Sequence, residues 1–392
     1  MADQQRQGGK QIPPRGYTAE DVEARRRWLE ERTGAALPEF HLDAPEELEG
    51  LVENQVGYVG LPLAVAGPLT LRGSHACGQF QVPLCTLEGT LSLSMTRGML
   101  AAHLSGGIET QHIKQELPRS PIFVFEELGD AGRFREWVQE NLEPIRAAAE
   151  ATTRHGKLLR IDQHPIHNRV ILDFVYSTGD AAGQNMVTLA THAACQFIEE
   201  RFRGERGCRW LIECNLAGDK SPTHRNLLLG RGHHVIASCR VKGSVVRRLL
   251  HTTTDEMIAG FADINIGSRL GGVSGLNLHV ANALAAIYLA TGQDVACVAE
   301  NAVGVCSGEK VGDDLLASLS MPSITVGTVG GATRLHQQSA NLELLGCRGE
   351  GSAKKFAEII CAAALALELS LAGAIVSNEF ADAHARFGRR GE

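Results

Sequence analysis

At 392 residues the chain is long enough for two or three domains, each with its own core. Its 38 basic and 45 acidic residues leave a net charge of −7, which argues against a nucleic acid as the main partner. Ten cysteines include no C-x-x-C pair and no Cys/His spacing typical of zinc, so no metal is expected and the thiols suit buried small hydrophobes in a reducing, cytoplasmic setting.

Residues 1–17 read as a loose polar tail without the apolar core of a signal peptide. Thr18-Ala-Glu-Asp21 is a capping-box pattern that opens a helix over 18–32, and Arg25, Arg26 and Arg27 within it read as a solvated face. From 51 to 120 the chain alternates Gly/Pro turns with apolar runs. Residues 121–125 and 169–176 are expected strands and 134–152 and 185–202 expected helices, an order that suits a small split α/β domain. Beyond 211 the first texture returns, with helices over 275–290 and 353–375 that lack a polar face and are expected to be buried. The longest apolar run, 361–378, is interrupted by Glu368 and too short to span a bilayer comfortably, so no membrane partner is expected.

The expected fold class is therefore α+β. A large helix-rich domain (51–120 and 212–375) has a central buried helix and is interrupted by a small α/β domain (121–211). A tail and helical segment (1–50) precede it, and a C-terminal flap (376–392) follows.

Four polar residues interrupt apolar or Gly-rich segments. Glu88 heads Glu88-Gly-Thr-Leu-Ser-Leu-Ser-Met-Thr-Arg97-Gly98, Lys220 lies in Gly218-Asp219-Lys220-Ser221-Pro222, Asp294 follows Gly292-Gln293, and His384 lies near the C-terminus. An acid, a cation, a second carboxylate and a histidine suit acid/base chemistry on a carbonyl. Each alone has a plainer reading: a helix-dipole acid, a loop lysine, a helix-end carboxylate, a solvent histidine. Asp180-Ala-Ala-Gly-Gln-Asn185-Met186 opens a helix with small residues, which lets free N–H groups approach a pyrophosphate; an ordinary Asp N-cap would explain Asp180 alone. No G-x-G-x-x-G follows a strand here, which argues against a Rossmann fold. Val329-Gly330-Gly331 allows close backbone approach or a tight turn.

These segments resemble the HMG-CoA reductase family, in that family's order along most of the chain. With them stand Glu53-Asn-Gln-Val-Gly-Tyr-Val-Gly-Leu-Pro-Leu-Ala-Val-Ala-Gly67-Pro68-Leu69, Ala286-Ile-Tyr-Leu-Ala-Thr-Gly-Gln-Asp294 and Met321-Pro-Ser-Ile-Thr-Val-Gly-Thr-Val-Gly-Gly331. The resemblance implies reduction of a CoA thioester to an alcohol by two hydride transfers, HMG-CoA to mevalonate, without the membrane anchor of animal and fungal relatives. It implies catalytic roles for Glu88, Lys220, Asp294 and His384. Lys220 would stabilise the oxyanion, His384 protonate the CoA thiolate, Glu88 protonate the aldehyde oxygen, and Asp294 sit between Lys220 and Glu88. It implies that the small domain is ferredoxin-like and binds NADPH through Thr153, Arg154, Asp180, Gly183, Asn185, Met186, Val329, Gly330, Gly331 and Arg389, with Arg154 on the 2′-phosphate. Ser94, Arg97, Arg119, Asn215, Asp219 and Asn282 would hold the substrate. The family's active sites form across a dimer interface, so a homo-oligomer is expected.

Departures from the family's pattern cluster. Glu213-Cys-Asn215 stands where the family has Ser-Gly-Asn, Ser221 where it has a second lysine, and Cys297 where it has glutamine. The lysine expected before the Gly-rich segment is missing from Asp263-Ile-Asn-Ile-Gly-Ser-Arg269, and 263–275 is shortened. These positions would grip the free carboxylate of the hydroxymethylglutaryl chain, with Arg119 and Arg269 left to compensate. Two other readings follow: the same chemistry on another acyl thioester, or a non-catalytic CoA- or nucleotide-binding regulator. The retained catalytic set argues against the last.

Overall fold

The structure, a computed structural model, describes residues 16–34, 45–202 and 208–380 and divides into two compact units, 1–62 and 63–392. In the first, the helix Ala19–Thr33 opens with the expected capping box: Thr18 Oγ1 accepts the Asp21 N–H and the Asp21 carboxylate accepts that of Thr18. It ends at Gly34, φ 70°. The solvated face expected for the arginines holds for Arg27 alone. Arg25 is 1% exposed and donates from Nε to the Gln55 carbonyl at 2.6 Å, while Arg26 Nη1 reaches the Val56 carbonyl at 2.9 Å. A guanidinium can be buried when backbone carbonyls replace its water, and here two of the three fasten 55–56 to the helix.

The second unit is built on ten strands: β1 Leu63–Gly73, β2 Cys77–Cys85, β3 Ile108–Arg119, β4 Ile122–Val124, β5 Lys157–Ile166, β6 Arg169–Ser177, β7 Arg209–Leu211, β8 Gly232–Val241, β9 Val305–Val311 and β10 Asp314–Ile324. Their order is β7-β4-β6-β3-β8-β10-β9, with β1 joining β2 and β3, and β5 joining β6. All pairs are antiparallel except β1–β3. β3 is the shared strand. Glu109–Glu116 pair with β8 and Leu117–Arg119 with β6, so Arg119 ends the one strand common to both halves of the sheet.

The α+β class stands, but the part expected to be helix-rich contributes six of the strands, β1–β3 and β8–β10. Turn-punctuated apolar runs carry little local signal, and apart from the hairpins β1–β2 and β9–β10 their pairing partners lie far along the chain. The helix expected over 134–152 is two, Leu128–Glu140 and Leu142–Glu150, because the ladder restarts at Asn141 and Pro144, which has no N–H to donate, is tolerated only in a new first turn, where none is needed. The helix expected from 275 starts at Val280, after Gly275 at φ 105°.

Two hydrophobic cores form. The smaller gathers Leu117, Phe123, Phe134, Leu172, Phe174, Ile198 and their neighbours. The larger surrounds the helix Ser352–Val376, whose most apolar window is 89% buried, as befits a core helix. Gly98 of the helix Leu91–Leu104 crosses it so closely that a Cβ there would lie 1.7 Å from the Ala366 carbonyl oxygen. Two acids on this buried helix serve as anchors. Glu358 accepts from Ser74 Oγ, Thr110 Oγ1 and the backbone N–H groups of His75 and Ala76. Glu368 accepts the N–H groups of Leu278 and His279, which open the helix Val280–Thr291; burial pushes its carboxyl up from the ordinary range.

Candidate active site

The loop between β7 and the helix His224–Leu229 bends sharply: Asn215 (φ 67°) and Lys220 (φ 55°) both occupy left-handed backbone. Two buried groups hold it. Glu300, 0% exposed, accepts the Lys220 backbone N–H and, at 2.6 Å, the Thr325 hydroxyl. Arg231, also 0% exposed, donates to Glu300 at 3.1 Å and to the Pro118 carbonyl at 2.8 Å. Arg231 Nη2 further lies 3.1 Å from Asp219 Oδ1, a charge contact without hydrogen-bond alignment. So fixed, Lys220 extends its ammonium 3.1 Å from Asp294 Oδ2, with both side chains partly open to solvent. The hydrogen bond to Asp294 raises the Lys220 ammonium's pKa despite the opposing effect of burial. Asp294 is itself fixed, its Oδ1 accepting the Ala296 N–H at 3.0 Å. A charged, hydrogen-bonding cation at an open site can stabilise negative charge developing on a carbonyl oxygen.

The described residues read from the sequence as dinucleotide-binding lie around the start of the helix Gln184–Arg201 and the turns that contact it. Gly183, φ 86°, precedes the helix Gln184–Arg201, and no side chain caps that helix start. Thr153 Oγ1 accepts the N–H groups of His155 and Gly156, and Met186 packs over Gly156, which brings the 153–156 turn beside the helix start. Arg154 is exposed and makes no hydrogen bond or ion pair with the described residues, and Asn185 is exposed in the first turn of the helix Gln184–Arg201. Val329 pairs with Ala181 in a short parallel bridge, and the Asp180 carbonyl accepts the N–H groups of Thr328 and Val329. A Cβ on Gly327 would lie 2.4 Å from the Ala182 nitrogen, so only glycine permits that approach. Gly330 and Gly331 continue the turn at φ 77° and 54°. An uncapped helix start beside an unpaired guanidinium fits the anionic dinucleotide that the sequence implies. Asp180 is committed otherwise: its carboxylate accepts the N–H groups of Gly351 and Ala353 at the start of the central helix. His384 and Arg389 lie outside the described residues.

Glu88, Ser94, Arg97 and Asn282 share a different cavity, about 250 Å³, walled by Leu367 and Phe380. Ser94 and Arg97 both bond Ser370 of the central helix, Arg97 to its hydroxyl at 2.9 Å and its carbonyl at 2.7 Å. Glu88 is exposed, not buried, in the turn before the helix Leu91–Leu104. No hydrogen bond or ion pair joins it to Lys220 or Asp294 among the described residues. Asn282 lies in the first turn of the 12-residue helix Val280–Thr291 and Asp294 beyond its last. That helix is roughly 18 Å long, so cavity and ion pair lie at opposite ends of it.

Arg119 is 8% exposed at its side chain and already paired, with Glu213 Oε2 at 2.9 Å and Asp219 Oδ2 at 3.1 Å. Asn215 donates its N–H to Glu213 at 2.6 Å. Arg269 is exposed on the helix Thr254–Leu270 and bonds to none of these. Cys297 is buried and receives a hydrogen bond from Gln184 Nε2 at 2.8 Å; burial pushes its thiol well up.

Several supporting residues escaped the sequence reading. Arg231 and Glu300 form the floor under Lys220. Gln293 accepts the Gly327 N–H at 2.9 Å, and Gln115 clasps the 178–179 backbone with both ends of its amide. A charge between two glycines (Gly230-Arg231-Gly232) was the one available signal; a glutamine in a strand offers none.

The fold is similar to that of the class II 3-hydroxy-3-methylglutaryl-CoA reductase of Streptococcus pneumoniae bound to NADPH (TM-score 0.68, 18% identity, covering 84% of this chain and 88% of that one). The fold is thus that of a known class of reductase. The hydroxymethylglutaryl-coenzyme A reductase family model matches residues 21–389. The 3-hydroxy-3-methylglutaryl-coenzyme A reductase of Aeropyrum pernix is 41% identical over 385 residues (96% of this chain, 91% of the relative), and that of Methanocaldococcus jannaschii 39% over 379 (94% and 93%). The chain belongs to the hydroxymethylglutaryl-coenzyme A reductase family.

Proposed function

We propose that Lys220 and Asp294, completed by Glu88, carry the chemistry by which this chain reduces HMG-CoA to mevalonate. The observation that carries this reading is the Lys220–Asp294 pair, held open to solvent at 3.1 Å on a loop fixed by buried charges. NADPH, when bound, supplies hydride. Lys220 Nζ donates to the thioester oxygen as charge gathers there, and Asp294 keeps the ammonium protonated and aimed. Glu88 gives its proton to the aldehyde oxygen in the second reduction, and His384 protonates the departing CoA sulfur.

Thr153, Asn185, Met186 and Gly183 line the cofactor's path, with Arg154 selecting the 2′-phosphate and hence NADPH over NADH. Asp180, Val329, Gly330 and Gly331 shape that path through the backbone. Ser94, Arg97 and Asn282 receive the CoA thioester, while Asn215, Asp219 and Arg119 lie on the acyl side. Because Glu88 and Asp294 stand at opposite ends of one helix, the working site is shared between two copies of the chain, each giving one half. Turnover of NADPH with HMG-CoA, by wild type and Lys220→Met, tests the assignment: an active Lys220→Met enzyme would remove it.

A second reading, a related acyl thioester lacking the terminal carboxylate, draws support from Arg119, whose charge is already matched by Glu213 and Asp219. A panel of acyl-CoAs separates the two.

A further inference from the structure

The ion pairs around the acyl side of the site form one connected network: Glu213–Arg119–Asp219–Arg231–Glu300, with Lys220–Asp294 beside it. Four of these groups are acids and three are bases. Arg231 is fully buried between Asp219 and Glu300, and Lys220 is paired with Asp294, so Arg119 is the remaining cation of the network for a ligand. Its side chain is more than nine-tenths buried, and Nε has no hydrogen-bond partner, so the guanidinium is neutralised but not saturated. Of its two partners, Asp219 is also in contact with Arg231. Glu213 is not: its Oε2 faces Arg119 alone, while Oε1 accepts the N–H groups of Cys214 and Asn215.

Granting the function proposed above, on which this rests, we infer that Glu213 is a specificity-determining residue that occupies, on Arg119, the position an acyl-chain carboxylate would take. A buried guanidinium recognises a carboxylate by charge and by its fork of donors. With Glu213 in place a carboxylate-bearing acyl chain must displace an internal carboxylate whose backbone contacts hold it there. A neutral acyl chain meets no such competition. Glu213 therefore lowers the advantage of acidic over neutral acyl-CoAs without touching the reacting atoms.

The test uses the full chain, comparing wild type with Glu213→Gln and Glu213→Ser. Glutamine keeps the side chain's shape and an oxygen for the Cys214 and Asn215 N–H groups, but turns a donor, not an acceptor, towards Arg119. With NADPH, the ratio of kcat/KM for HMG-CoA to that for butyryl-CoA should rise roughly tenfold or more, the size of one charge-assisted contact. Calorimetry should show the same gain in the affinity ratio of glutaryl-CoA to butyryl-CoA. An unchanged or lower ratio in a folded variant overturns the inference, and so does loss of folding in both, which would make Glu213 a structural residue. If neither wild type nor variant reduces HMG-CoA while the glutaryl/butyryl affinity ratio rises, the function fails and the role of Glu213 stands.

Discussion

Asp180 accepts the backbone N–H of Ala353 at 2.9 Å, and with its other oxygen that of Gly351 at 2.8 Å. The loop leading into the helix Gln184–Arg201 thus caps the buried helix at the centre of the larger core. The N-cap residue of that helix, Gly351, has no side chain to do so itself. Asp180→Ala should cost about 1 kcal/mol of stability with no cofactor present. Thermal melts of the bare protein measure it; an unchanged melt would mean that Asp180 serves the ligand only.

Arg154 stands exposed beside an uncapped helix start. Arg154→Ala should weaken NADPH binding by roughly 1.5–3 kcal/mol, or about ten- to a hundredfold, and leave NADH nearly unaffected. Parallel titrations decide the point, and equal losses would remove Arg154 from 2′-phosphate recognition.

His233 is 1% exposed and lies between His112 (Nδ1···Nε2 2.9 Å) and Gln115, whose amide holds the 178–179 backbone. Burial, then His112, pushes His233 down to about 3; burial, then His75, pushes His112 down to about 4. The sign follows: an unfolded histidine takes up its proton near 6.5, so below that pH the unfolded state binds more protons and acid favours unfolding. Stability should therefore fall from about pH 6.5 towards pH 4, by an amount on the order of a few kcal/mol. Denaturant midpoints across that range, compared with His233→Gln, test this; identical pH dependence in the two would contradict it.

Gly98 crosses the central helix with no room for a methyl group. Gly98→Ala places a carbon against the Ala366 carbonyl and should destabilise the protein by about 3 kcal/mol. A chemical denaturation midpoint close to wild type would show that the two helices part easily.

The sequence made legible what depends on local chemistry. The capping box at Thr18, the apolar helix through Glu368 and the small-residue helix start at Gly183 each carry their signal within a few residues, and each is present. Strands of the larger half such as β8 and β10 were missed because their partners are remote: β10 pairs with β8, whose residues precede it by some eighty positions, whereas β1–β2 and β9–β10 are local hairpins whose turns were read without their strands. Arg25 read as solvated because nothing in the sequence tells that the carbonyls of Gly16 and Gln55 come to meet it. Lys220 and Asp294 could be picked out as polar residues in Gly-rich surroundings, and they meet. Their buried support, Arg231 and Glu300, was missed, since apart from the glycines that flank Arg231 a charge destined for burial looks like any other until its partner is known. Nor did the sequence reveal that Glu213 faces Arg119. It marked both positions but not their pairing.

The central claim is that the Lys220–Asp294 pair is the reducing centre for a CoA thioester. The most direct measurement is product analysis after incubating the protein with HMG-CoA and NADPH, for wild type and Lys220→Met. Wild type should form mevalonate and release CoA as NADPH is consumed. Lys220→Met should bind NADPH normally and form at least about a thousandfold less product, the scale of losing an oxyanion-stabilising donor. Mevalonate formed at comparable rates by both proteins would contradict the account.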